Sequence, residues 1–201
     1  MDDDTKVGLG VALNEATLLG AEVSRESRVA AITLSVLSLP PGGGPPPQDS
    51  RVSIILSPVG RVAASLRSGS WDDPEAAAVP FALEDLLPTI QSFGSLPIYG
   101  WEFIDVDARF KEWSKRLSLD ECLGDDGQAH SIRLFQDGVT RYLDLRIWFD
   151  RLRVFRPDQS EIPIQVFIAD GKRWWDGLHS GDSRTRESGI FPAGHRLDLP
   201  E

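Results

Sequence analysis

The sequence predicts a mainly β protein: two duplicated antiparallel meanders, packed as a sandwich or as one continuous sheet, with one or two short helices. Three observations predict it. Apolar residues alternate with period two through residues 32–36, 52–56 and 143–149, the signature of half-buried strands. Turn-forming pairs punctuate those runs, among them Asp126-Gly127, Asp137-Gly138 and Asp170-Gly171. The order of parts in the first half also returns in the second, so residues 1–95 read as one repeat and residues 96–201 as another.

In chain order, residues 1–10 are acidic and then glycine-bearing, and are expected to fray. Residues 11–17 read as a lead-in strand or a short helical turn. Leu18 to Val23 and Ile32, Leu34 and Val36 flank the polar cluster 24–28, which predicts a hairpin. Residues 40–50, PPGGGPPPQDS, form a loop on composition: proline removes donors and glycine is costly to order. Strand-like text on both sides makes it a long hairpin loop rather than a domain linker. Val52, Ile54 and Leu56 resume the alternation, Pro58-Val59-Gly60 breaks it, and Val62, Ala64 and Leu66 carry it on. Residues 68–78 are turn-rich and hold Trp71. Val79 to Phe81 read as a short strand, followed from about Leu83 by a short helix with Leu86, Leu87 and Ile90 as its apolar side, limited by Pro88.

The second half opens with Tyr99, Trp101 and Phe103 on one strand face and Glu102 on the other. Val106, Phe110, Trp113 and Leu117 have the spacing of an amphipathic helix near 106–117. Residues 130–137 read as a strand. The clearest stretch is 142–175. Leu143, Leu145, Ile147 and Phe149 lie on odd positions and Leu152 and Val154 on even ones, so a bulge or bend is expected at Asp150-Arg151. Residues 157–160 are a turn, and Ile162, Ile164 and Val166 read as the partner strand, ended by Asp170-Gly171. The tail from His179 is polar, with Ile190, Phe191 and Leu197 as apolar pins.

Leu19-Gly-Ala-Glu-Val aligns with Tyr99-Gly-Trp-Glu-Phe, and Ile32-Thr-Leu with Ile132-Arg-Leu. Val52, Ile54, Leu56 and Val59 align with Leu145, Ile147, Phe149 and Leu152, and Val79-Pro-Phe with Ile162-Pro-Ile. The common order is the argument for duplication. The patterns L-x-G-x-E-V, R-V-x-x-x-T-L, Y-G-W-E-F and F-I-A-D-G-K-R-W-W-D resemble bacterial β-rich families of unknown function, some similar to immunity proteins of polymorphic toxin systems. That resemblance implies an inhibitor that binds a toxin, and it implies no catalytic residue.

The 201 residues carry a formal net charge of −10. That favours a basic protein partner and argues against nucleic acid or an anionic membrane. Arg146, Arg151, Arg153 and Arg156 read as strand arginines whose stems cover apolar neighbours. With Cys122 as the one cysteine there is no internal disulfide and no cysteine-based zinc site, which fits the cytoplasm. No secretory signal and no apolar run long enough for a membrane span is present, and the Pro- and Ala-rich, Lys-poor composition resembles that of high-GC bacterial proteins. His130, His179 and His195 have no metal-ligand spacing, Gly8-Leu-Gly10 is no dinucleotide fingerprint, and no motif calls for a cofactor. Oligomeric state is not legible.

The candidate binding residues are Trp101, Glu102, Asp170, Arg173, Trp174, Trp175 and Asp176. A glycine between aromatics, at Gly100, marks a close approach by ligand or backbone. Adjacent tryptophans cannot share one core layer, so one indole is expected at the surface unless both clamp the end of the sheet. The leading expectation is a non-enzymatic interaction protein. A carbohydrate or small-ligand module stacking on Trp71, Trp101, Trp148, Trp174 or Trp175 is an alternative. A hydrolase using two of Glu102, Asp170 and Asp176 is another, and requires those carboxyls in one cleft.

Overall fold

A computed structural model describes residues 1–69, 73, 75–94, 98, 102–103 and 116–188; for 102–103 and 187–188 the backbone alone is described. The positions of Trp71, Tyr99, Trp101, His195, the apolar tail residues and nearly all of the expected 106–117 helix lie outside these residues.

The chain is mainly β. Strands β1 (Thr17–Ser24), β2 (Val29–Ser35), β3 (Arg51–Ser68), β4 (Glu102–Phe103), β5 (Leu119–Cys122), β6 (His130–Asp137), β7 (Arg141–Phe155) and β8 (Glu161–Ile162) form one antiparallel sheet. Its main path runs β1-β2-β3-β7-β6-β4, so the continuous-sheet alternative is the one found. The two long strands β3 and β7 pair from Ser53↔Phe155 to Ser68↔Arg141. On its other edge β3 is shared: β2 covers its first half and β5 pairs with Arg61 to Ala64. β7 is shared likewise between β6 and β8. The expected β1–β2 and β6–β7 hairpins are present, the second closed by Asp137, whose Oδ1 accepts the Val139 amide at 2.9 Å.

The face switch in β7 is real: Phe149 and Leu152 both enter the core, although three positions apart. β3 switches with it, since Leu56 pairs with Leu152 and Val59 with Phe149. The extra residue sits in β3, where the register shifts between Val59 and Arg61 around Gly60. The bulge therefore lies across the ladder from Asp150-Arg151 and one step beyond it, because Gly60 alone tolerates the loop packed over it (a Cβ there would lie 2.4 Å from the Asp126 carbonyl oxygen).

Three helices complete the described core: α1 (Asp3–Ala12), α2 (Leu86–Gln91, preceded by a 3-10 turn at Leu83–Asp85) and α3 (Ile164–Ser180). Leu9, Ala12 and Leu13, Leu86 and Ile90, and Phe167 and Ile168 pack with the alternating apolar residues of β2, β3, β6 and β7 in one cluster. No helix among the described residues is long and apolar enough to cross a membrane.

Four sequence expectations are corrected. Residues 3–12 are helical rather than frayed. Asp2 accepts the Thr5 amide at 2.7 Å and acids occupy the first turn, which caps the helix dipole. Residues 162–166 are not a strand beyond Ile162. Ile164, Phe167, Ile168, Gly171, Trp174 and Leu178 have helical spacing, and that period wins because α1 shelters its first half and Leu39 packs on Trp174 and Leu178 in its second. Val166, assigned to a buried strand face, is 42% exposed. Asp126-Gly127 does not turn a hairpin, because β5 joins β3 and β6 joins β7. Val79 to Phe81 lie in no strand; the backbone there bonds to Leu66 and Ser118.

Candidate functional site

The sequence-predicted residues 170–176 all lie on α3. This helix ends at Gly181 in the left-handed region (φ 76°), with the Asp182 amide on the Gly177 carbonyl at 2.8 Å and the Gly181 amide on that of Leu178 at 3.2 Å. Those two bonds satisfy carbonyls that a helix end otherwise leaves open, and glycine is the residue that takes this conformation without steric cost.

Asp170 and Arg173 form an i,i+3 ion pair at 2.7 Å. Both also hold the segment that leaves β2. The Leu39 amide donates to the Asp170 carbonyl at 3.1 Å, and Arg173 Nη1 donates to the Leu39 carbonyl at 2.5 Å. Leu39 is thereby fully satisfied at the backbone and buries its side chain against Trp174 and Leu178, in a small cluster separate from the main core. Trp174 is 2% exposed and meets Trp175 edge-on, ring centroids 5.0 Å apart. Trp175 is half-buried beside His179, and Asp176 is exposed. The pair thus splits, with one indole in the core layer and the other at its rim.

Asp170 and Asp176 are six residues apart on one helix, about 120° around its axis. The two carboxyls do not face one another, and Asp170 is committed to Arg173. Glu102 pairs with Arg133 across the β4–β6 ladder through the backbone.

Beside Trp174 lies a cleft of about 480 Å³. The prolines at 45–47 form one wall and Val36, Leu37 and Trp174 an apolar side. Ser35, Ser38, Ser50 and Ser183 add hydroxyls, with the Ser35 and Ser50 Oγ atoms 2.7 Å apart. Arg184, also in the lining, holds Asp182 through two nitrogens and donates to the Gly44 carbonyl at 2.9 Å. These bonds pin the proline loop to the segment after α3. They also hold the Asp182 carboxyl at a pKa of about 2, chiefly through the Arg184 side chain. A second depression of about 210 Å³ continues from Ser38 and Ser50 to Arg156, Pro157 and Asp170. There Arg51 pairs with Asp49 and brings that carboxyl to about 2 as well. Sequence reasoning reached Asp170 and Trp174 but missed Arg184 and the serines. Nothing local in residues 35–50 signals that the loop folds back onto α3.

A second feature is an acidic end built from the β1–β2 turn, the 3-10 turn before α2, β5 and the loop after β5. Arg25 bonds both Glu84 and Glu121, Arg28 bonds Asp126, and Arg61 bonds Asp120. Glu26, Asp85 and Asp125 stand exposed beside them, so carboxylates outnumber guanidinium groups. The Arg25 and Arg28 hydrogen bonds hold Glu84 and Asp126 below the ordinary carboxylate range, which keeps this surface ionised. The strand arginines divide: Arg146 is 1% exposed, while Arg151, Arg153 and Arg156 reach solvent, Arg153 stacking over Phe155 at 4.8 Å and pairing with Glu161.

Among the described residues no three His, Cys, Asp or Glu side chains converge to hold a metal ion. No family model, no curated protein and no solved structure matches this chain.

Proposed function

We propose that this chain is a non-enzymatic interaction protein that engages a basic protein through its acidic end, with an immunity-type inhibitor as the form such binding takes. The supporting observation is the arrangement of that end. Arg25 draws Glu84 and Glu121 from two separate elements onto one surface, and Glu26, Asp85 and Asp125 add exposed charge to it. The −10 net charge of the chain adds long-range attraction for a cation-rich partner. A patch with a net negative charge steers encounter and disfavours partners of like charge, which suits a protein that must find one target quickly.

The test is affinity purification with a co-expressed basic partner, followed by titration at 50 and 300 mM salt. Binding should weaken by about tenfold or more across that range, and the combined substitutions Glu26→Lys, Asp85→Lys and Asp125→Lys should weaken it at low salt. Binding that ignores both the salt and the charge reversal would sink the proposal.

A further inference from the structure

We propose that the cleft between the proline loop and α3 is a second binding site, independent of the acidic end, for a small neutral polyhydroxylated ligand of the size of a monosaccharide. Its volume of about 480 Å³ lies in the range of small-molecule sites, about 300–1,000 Å³. Its chemistry is mixed in the way a pyranose is mixed. Proline rings and the Val36 and Leu37 side chains offer C–H surface, and serine hydroxyls stand among them. A hydroxyl both donates and accepts, so the serines match a ligand whose own groups do both and whose orientation is fixed by pairs of such bonds.

The charge at the site is already spent. Arg184, which lines the cleft, is neutralised by Asp182 and also tied to the Gly44 carbonyl. An anionic ligand would have to break this bidentate pair, and a cationic one would meet no carboxylate among the described residues that line the cleft. The wall is also held in place before any ligand arrives. The loop is pinned at Leu39 by Asp170 and Arg173, at Gly44 by Arg184, and at Ser50 by Ser35. A pre-ordered wall spares the ligand the cost of ordering eleven loop residues, 40–50.

Saturation-transfer NMR and calorimetry on the whole chain would use glucose, galactose, mannose and N-acetylglucosamine, with glucuronate and glucosamine as charged counterparts. At least one neutral sugar is expected to bind with a Kd of ~1 mM, the affinity a ligand of about a dozen heavy atoms reaches in such a site. Ser38→Trp, which fills the cleft from its edge, should weaken binding about tenfold with the thermal midpoint retained. The Glu26, Asp85 and Asp125 reversals should leave sugar binding intact, which separates failure here from failure of the acidic-end reading. The proposal is overturned if no neutral sugar binds, if a charged counterpart binds more tightly than every neutral one, or if Ser38→Trp folds and binds normally.

Discussion

The Gly60 amide donates to the Gly127 carbonyl at 3.0 Å, and each glycine occupies the space that a side chain on the other would need. A Cβ on Gly127 would lie 2.5 Å from the Gly60 nitrogen and the Pro58 carbonyl oxygen. Around this contact Asp150 accepts the Gly127 and Ala129 amides, each at 3.1 Å, and Arg28 donates to the Val59 and Asp126 carbonyls. The bulge in β3, the face switch in β7 and the loop after β5 are therefore one device.

Gly127→Ala is expected to cost about 2 kcal/mol or more. It combines a left-handed backbone (φ 79°) with contact against immovable main chain. Urea unfolding measures it; a loss below about 0.5 kcal/mol would mean the loop is not packed on the bulge.

The crossing of α1 and α3 gives a paired prediction. A Cβ on Gly171 would lie 2.6 Å from the Ala12 Cα, whereas Gly10, on the same α1, has nothing within 4 Å. Gly171→Val should destabilise by about 1–3 kcal/mol through overpacking. Gly10→Ala should stabilise by about 0.5–1 kcal/mol, because alanine loses less backbone entropy in a helix. Opposite signs in thermal melts confirm the crossing, and equal effects refute it.

Gln136 lies in the buried face of β6, 1% exposed, with both side-chain polar atoms lacking a hydrogen-bond partner among the described residues. An unsatisfied buried amide costs about 1–3 kcal/mol. Gln136→Met keeps the shape and removes the polar atoms, so it should be neutral or raise stability by about 1 kcal/mol. A clear destabilisation would show that the amide is bonded in solution.

Asp49, which lines the second depression, and Asp182, the partner of Arg184, give a prediction for acid pH. Both titrate near 2 when folded, below the ordinary 3.8, because Arg51 and Arg184 bond the ionised form. Their contribution to stability is complete above about pH 4 and is lost as the pH falls through about 2. Carboxyl ¹³C shifts should give midpoints near 2 for both. Replacing Arg184 with Gln should raise the Asp182 midpoint towards its ordinary range, only part of the way because the backbone amide of residue 184 still donates to the carboxylate, and leave Asp49 unmoved.

By itself the sequence determined the β character, both hairpins, the turn at 157–160, the α2 segment and the face switch near Asp150, though not that its bulge sits across the ladder at Gly60. Each is written in a period of two, in apolar side or in turn chemistry, and needs no distant partner to be read. It also determined the acidity on which the proposed partner rests. Tertiary structure alone decided the rest. Ile162, Ile164 and Val166 fit a strand as text, and 164–178 fit a helix equally well. The helix won because α1 and α3 approach closely, Gly8 against Ile168 and Gly171 against Ala12, contacts between segments far apart in the chain. The helix at 3–12 carried a legible cap in Asp2 and Thr5 but a weak apolar face, since Val7 is 66% exposed and Leu9 buried. The site followed the same rule. Asp170 and Trp174 stood out as residues, yet the cleft beside them exists because a proline loop more than a hundred positions earlier is tied down by Arg173 and Arg184. Local pattern sets which faces must be covered; the chain's long-range closure sets what covers them.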